Sequence, residues 1–355
     1  MKSFSYTGLP SRVLFGSGTL KSLGDEIKRL GCARALILST PQQEGEARAL
    51  AAEIGPLAAG LYANATMHTP VTVTDAALAV VKDLKADVTV ALGGGSTTGL
   101  GKAIALRTDL PQIVIPTTYA GSEATPILGE TKDGLKTTQR SLKVLPEVIL
   151  YDVDLTLSLP MGLSVTSGMN AIAHAVEALY AQDANPITSL MAEEAVRALA
   201  RALPVIVKDP KNIEARSDAL YGAWLCGICL GTVGMALHHK LCHTLGGTFD
   251  LPHAETHTVV LPHATAYNAA ATPAAMARLA RALGVNDPVR GLYDLEVALG
   301  APTSLKQLGM PQEGLGRAAE LALANPYWNP RPLELRTIRT LLENAWAGQP
   351  PSSSG

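Results

Sequence analysis

Six of the chain's eight histidines fall between His238 and His263, in the stretch HHKLCHTLGGTFDLPHAETHTVVLPH. Imidazole titrates near neutrality, binds divalent metals through a lone pair and donates hydrogen bonds through its N–H. One isolated histidine is usually core packing, but six so close together mark a site. On a helix, His239 and His243 share a face four residues apart, and so do Asn170 and His174. His253 follows His243 beyond a Gly-Gly turn and a proline. His174, His239 and His253 can therefore converge between helices as three nitrogen ligands.

A second group of residues suits phosphate. After the strand candidate 88–92 comes Gly93-Gly94-Gly95-Ser96-Thr97-Thr98-Gly99, and a helix is expected to open near Leu100. A glycine-rich turn lets backbone N–H groups approach a pyrophosphate, and a helix N-terminus adds roughly half a positive charge there. The spacing is not G-x-G-x-x-G, so the ordinary Rossmann inference does not transfer. The next strand candidate ends in Pro116-Thr117-Thr118-Tyr119-Ala120-Gly121-Ser122-Glu123, a second hydroxyl-rich turn. Open α/β sheets bind ligands at such carboxyl ends, and two turns together favour a dinucleotide or nucleotide. The second strand candidate runs into Ser39-Thr40-Pro41-Gln42-Gln43 without a carboxylate for a ribose 2′-hydroxyl. That leaves NADH and NADPH equally open.

The elements that must position these residues follow from pattern. Strand candidates at 12–15, 35–39, 88–92, 112–116 and 148–151 alternate with helical periodicity at 20–30, 45–53 and 74–84. This is the rhythm of a parallel α/β sheet. From about Leu159 the chain changes to long Ala/Leu-rich segments, 170–181, 189–207 and 212–230, which read as buried or amphipathic helices. The expected organisation is an α/β dinucleotide-binding domain over 1–158, an all-α domain over 159–348 and a disordered tail over 349–355.

Composition narrows the function. The 355 residues are 47% hydrophobic, enough to bury two cores. A net charge of -2 and 4% aromatics give no case for nucleic acid or an anionic membrane. Apolar runs are short and interrupted, so no membrane-spanning helix is expected. The stretch MKSFSYTGLPSRVLFG lacks the apolar core of a secretory signal. Cys226 and Cys229 lie in the apolar run LYGAWLCGICLGT and read, like Cys32 and Cys242, as free thiols. A cytoplasmic protein is expected.

Taken together, GGGS followed by Lys102, then PTT…GSE, SGMNAIAHAVEA and HHKLCHTLGGTFDLPHA, in order from about Arg12 to His263, resemble the group III, iron-type alcohol dehydrogenase family. Glycerol dehydrogenase and dehydroquinate synthase share that architecture. The resemblance implies an α/β N-terminal dinucleotide-binding domain followed by an all-α C-terminal domain, with the site in the cleft between them. It also implies a homodimer. In the family an Asp and three His hold a divalent metal, and the matching positions here are Asn170, His174, His239 and His253. The amide of Asn170 replaces the one anionic ligand, so affinity for a hard divalent cation should fall. Gly99 stands where iron-type members often carry an Asp. Both departures, with GGGSTTGLGKAIAL, IPTTYAGSE, VLPEVILYD and NPYWNPRP, are similar to the maleylacetate reductase subgroup, which is regarded as metal-independent.

The resemblance implies reduction of the conjugated C=C of a small keto-dicarboxylate by NADH or NADPH, in aromatic-compound catabolism, with no metal required. Hydride adds to the alkene carbon β to the ketone and leaves an enolate, which needs a preorganised donor. His243 and His253 are expected as oxyanion donors and proton sources, with His239, His174 and Asn170 around them as a vestigial metal framework. Gly94, Gly95, Ser96, Thr117, Thr118 and Ser122 are expected at the pyrophosphate. Thr125 and Lys136 match further cofactor positions, although Lys136 alone would read as a solvated lysine. Two substrate carboxylates call for anchors among Tyr119, Arg140, Lys143, His257 and Arg331. The alternatives are a metal-dependent alcohol or polyol dehydrogenase, a zinc-dependent lyase like dehydroquinate synthase, and a nucleotide-binding regulator without turnover.

Overall fold

The computed structural model describes residues 3–351, the side chain of Lys136 excepted. Residues 352–355 of the expected tail lie outside the described residues, whereas the Gln349 N–H still bonds the Asn344 carbonyl at 3.0 Å. The chain forms two compact units, Gly8–Leu159 and residues 160–351 together with 3–7.

The first unit is a six-stranded sheet, all parallel, built from β1 (Arg12–Gly16), β2 (Ala35–Leu38), β3 (Ala58–Tyr62), β4 (Val88–Gly93), β5 (Gln112–Pro116) and, later in the chain, β8 (Val148–Asp152). Their spatial order is β1-β8-β5-β4-β2-β3. Strand residues alternate between two cores, as a side-chain period of two requires. Ala35, Ile37, Val88, Val90 and Leu92 pack with α1 (Leu23–Arg29) and α2 (Glu44–Ile54). Leu36, Leu38 and Ala91 pack on the other face with α3 (Val71–Asp83) and α4 (Gly95–Thr108). Helices on both faces explain why these strands read as continuous apolar runs. An antiparallel hairpin, β6 (Ile127–Lys132) and β7 (Leu135–Arg140), turns at Asp133-Gly134, both with positive φ.

Two local expectations need correcting. Helix α4 opens at Gly95, not near Leu100, so Gly95, Ser96 and Thr97 form its first turn. Strand β3 and the hairpin add to the elements expected from pattern. β3 reads AAGLY, whose Ala and Gly carry little strand preference.

The second unit is helical: α5 (Met161–Leu179), α6 (Pro186–Lys208), α7 (Ile213–Thr232), α8 (Leu237–Phe249), α9 (His253–Ala269), α10 (Pro273–Leu283), α11 (Pro288–Ala298), α12 (Leu315–Ala324) and α13 (Leu335–Ala347). Every residue of α5 from Ser164 to Leu179 is buried, because α6, α7 and α9 all pack on it. Asn185 closes a capping box at the start of α6, and Asn212 and Asp287 cap α7 and α11. A second core joins α8, α9, α12 and α13 through Leu241, Leu245, Val260, Ala319 and Leu342. Among the described residues no single helix is long and apolar enough to cross a membrane.

Candidate active site

The phosphate-suited turns lie side by side. Gly93 ends β4 at a φ of 146°, a value L residues rarely adopt, and the Thr117 N–H donates to its carbonyl at 3.1 Å. A Cβ on Gly94 would meet the Thr118 methyl at 2.9 Å, so only glycine fits there. The first N–H groups of α4 have no partner within the helix and stand free for an anion. The hydroxyls of Thr97, Thr98 and Ser122 are buried without a protein partner. Gln43, in the turn after β2, donates to the Thr117 hydroxyl just past β5 at 3.1 Å and so ties two strand ends together. This donor set fits a dinucleotide phosphate. A Cβ on Gly99 would run into the Thr69 hydroxyl, so the Asp that iron-type members often carry there would clash.

Lys102 organises the second turn from beneath. Its ammonium is fully buried and donates to the carbonyls of Ser122, Thr125 and Ile127 and to the Thr125 hydroxyl, at 2.6 to 2.9 Å. Burial lowers this ammonium to about 7. Thr125 is thus committed to Lys102 and to the Ser122 carbonyl. Tyr119 is wholly buried. Lys136 lies in β7, and its side chain lies outside the described residues.

In the helical unit the histidines are organised by a carboxylate outside the histidine-rich stretch. Glu177, one turn after His174 on α5, is fully buried. It accepts from the N–H groups of Ala236 at 2.8 Å and His238 at 2.7 Å, and from His239 Nδ1 at 2.7 Å. α8 has no side-chain cap of its own, so Glu177 caps its N-terminus from a neighbouring helix. Burial raises this carboxyl to about 7 against the pull of those donors. Its position three residues from His174 was the available signal.

From Glu177 the hydrogen bonds continue: His239 Nε2 meets His174 Nδ1 at 2.8 Å. A separate pair joins His238 Nε2 to His257 Nδ1 at 3.0 Å, with Cys242 Sγ 3.7 Å from the same nitrogen of His238. His243 Nδ1 meets the Tyr327 hydroxyl at 2.9 Å. His253 opens α9, its ring centroid 4.3 Å from that of His257. Burial pushes His239 down to about 3, and His238 and His257 well below the ordinary imidazole range. These three rings are therefore neutral at physiological pH. His263 lies apart from these contacts, buried and lowered to about 4.

The site brings together His174, His238, His239, His243, His253 and His257. Arg331 is elsewhere engaged: its guanidinium stacks 4.5 Å from the Tyr267 ring and donates to the Tyr267 carbonyl. Tyr327, four residues earlier, is the member of NPYWNPRP that reaches the cluster. Asn329 fixes this segment through paired amide bonds with Asn268 at 2.8 and 2.9 Å.

The donors at the metal positions implied by the resemblance do not fit a divalent ion as arranged. Both nitrogens of His239 are engaged, one by Glu177 and one by His174. Asn170 brings no charge, and its buried Oδ1 has no protein donor. Among the described residues, the three metal-binding types whose ligand atoms cluster within 4.8 Å are His238, Cys242 and His257 instead.

Comparison with known proteins identifies the family. Residues 10–153 match the model of iron-containing alcohol dehydrogenases, and residues 164–346 that of the C-terminal part of the same family. A maleylacetate reductase of Sphingobium indicum is 61% identical over 98% of this chain and 99% of its own. The crystal structure of a maleylacetate reductase from Agrobacterium tumefaciens superposes with a TM-score of 0.96 at 58% identity, covering 99% of this chain and 100% of the other. That of a Rhizobium maleylacetate reductase gives 0.95 at 59% identity, with coverage of 99% and 100%.

Proposed function

The chain belongs to the iron-containing alcohol dehydrogenase family and is an oxidoreductase, and from that premise we propose that it reduces maleylacetate to 3-oxoadipate without a required metal. The observation that carries the metal-independent part is the commitment of both His239 nitrogens within a set that has lost its carboxylate at Asn170. Relatives named maleylacetate reductase, matching nearly the full chain, support the substrate. We read the cofactor as NADH or NADPH, since β2 ends without a carboxylate that would repel a 2′-phosphate.

When bound, the reduced nicotinamide supplies the hydride that adds to the alkene carbon β to the ketone. The chain's part is to hold and neutralise the enolate that results. A metal is not needed for this, because an enolate is less basic than the alkoxide of an alcohol dehydrogenase. N–H groups already aimed at the oxygen lower the barrier without reorganisation. His243, bonded to Tyr327, and His253 are the half-buried rings of the cluster, where a proton can be exchanged with solvent. They donate to the oxyanion and return a proton to the α carbon, which completes the saturated keto-diacid. Neutral His239, held by Glu177 on one side and His174 on the other, lines the site.

The four free, buried cysteines suit a reducing, cytoplasmic setting. A homodimer remains part of the proposal, with β1 as an open sheet edge that a two-fold could pair. The test is NADH or NADPH oxidation with maleylacetate, before and after chelation. Rapid turnover in both conditions supports the reading, and no turnover with either cofactor removes it.

A further inference from the structure

His257 is the hub of the cluster. Its ring centroid lies within 6.4 Å of those of His174, His238, His239, His243 and His253, and its side chain is fully buried. Its Nε2 has no protein partner, and neither has Nδ1 of His238 at the other end of the pair. Two neutral rings carry two protons on four nitrogens, and one of these must occupy the 3.0 Å contact between them. Two arrangements satisfy that count. Either His238 Nε2–H donates and His257 keeps its proton on Nε2, or His257 Nδ1–H donates and the unpaired N–H falls on His238.

Cys242 separates the two. Its thiol lies 3.7 Å from His238 Nε2 on the next turn of α8. Were that nitrogen bare, the thiol proton and the His257 proton would compete for one lone pair. Were it protonated, the sulfur is a weak acceptor beside it and no conflict arises. The protonated form also places the unpaired N–H on the hub ring.

We propose that His238 and Cys242 are positioning residues that hold His257 in its Nε2–H form, as a neutral hydrogen-bond donor for an oxygen of the substrate. The acceptor class is a carboxylate or enolate oxygen of a keto-dicarboxylate. This rests on the reading of the protein as a maleylacetate reductase. A donor of this kind is fixed by tautomer and not by charge.

The experiment has two arms on the full-length enzyme. Nitrogen-15 NMR of histidine-labelled protein, with His257→Asn to assign the ring, reads the tautomer directly. A protonated Nε2 and bare Nδ1 are expected in the free enzyme, and a protonated Nδ1 would overturn the proposal whatever the activity. In the second arm, His238→Leu should raise KM for maleylacetate about tenfold, the worth of one hydrogen bond, at unchanged NADH affinity. His238→Gln, whose amide can donate from the place of Nε2, should restore KM to within about twofold. A Leu variant that folds with wild-type KM, or a Gln variant no better than Leu, would overturn it. Failure of the wild-type enzyme to oxidise NADH with maleylacetate sinks the underlying reading and leaves the tautomer result standing on its own.

Discussion

The two units prepare for their ligands by different means. In the α/β unit the donors are mainly backbone, a glycine turn and the opening of α4, with short hydroxyl side chains beside them, all placed by the order of parallel strands. In the helical unit the donors are side chains, and their direction is set by other side chains, Glu177 for His239, Tyr327 for His243, His238 for His257. The first kind of site depends on shape and tolerates change wherever the backbone path survives. The second depends on which nitrogen carries a proton, so one lost partner resets its neighbours.

The sharpest way to break this contrast is Glu177→Ala. It strips α8 of its cap and leaves His239 Nδ1 without an acceptor. Removing one partner from such a buried arrangement costs roughly 3–5 kcal/mol, read as a fall in the denaturant midpoint. Unchanged stability would mean the cluster is not organised from Glu177. Next in size is acid. His238, His239 and His257 have depressed values, so their contribution is full above the unfolded imidazole value near 6.5 and is lost as pH falls below it. Glu177 is raised to about 7, so its contribution runs the other way, present at low pH and lost as pH rises through 7. Three imidazoles against one carboxyl leave a net of about two protons. Stability should therefore fall from pH 6 to pH 5 by roughly 3 kcal/mol, at about 1.4 kcal/mol per proton and pH unit. A flat profile in chemical denaturation would contradict neutral burial of the rings.

Two substitutions separate the units kinetically. His243→Ala should lower kcat by about 10²-fold, the usual effect of deleting an oxyanion donor, with NADH binding preserved. Gly94→Ala, whose methyl would strike Thr118, should do the reverse, raising KM for NADH about tenfold, or about 1.4 kcal/mol, while the maleylacetate KM stays put. If either variant moved both parameters together, the division of labour would be wrong.

The sequence carried the backbone-built site well and the side-chain site in part. Apolar Val/Ile-rich runs, ended by Gly93 in β4 and Pro116 in β5, made these strands readable, because both faces of them are buried. The start of α4 is hidden because GSTTG has the composition of a turn, whereas the helix begins directly after β4 at Gly95. The Asp133-Gly134 turn of the hairpin was a readable signal that went unused. Histidine types and spacing marked the cluster, whereas its wiring was hidden. Glu177 looks like a polar interruption of an apolar helix until α8 is seen to begin on it. Tyr327 sits in an irregular segment whose placement comes from Asn268 and Asn329, and no periodicity announces such a contact. Arg331, chosen for its charge, proved to be holding that segment.

The central claim is that this helical framework does acid and oxyanion work with hydrogen bonds in place of a metal. It is tested most directly by assaying NADH oxidation with maleylacetate on enzyme dialysed against EDTA, with metal content measured on the same sample. The account predicts the same rate with metal far below one ion per chain. A rate that vanishes with the metal and returns with Fe²⁺ or Zn²⁺ would contradict it.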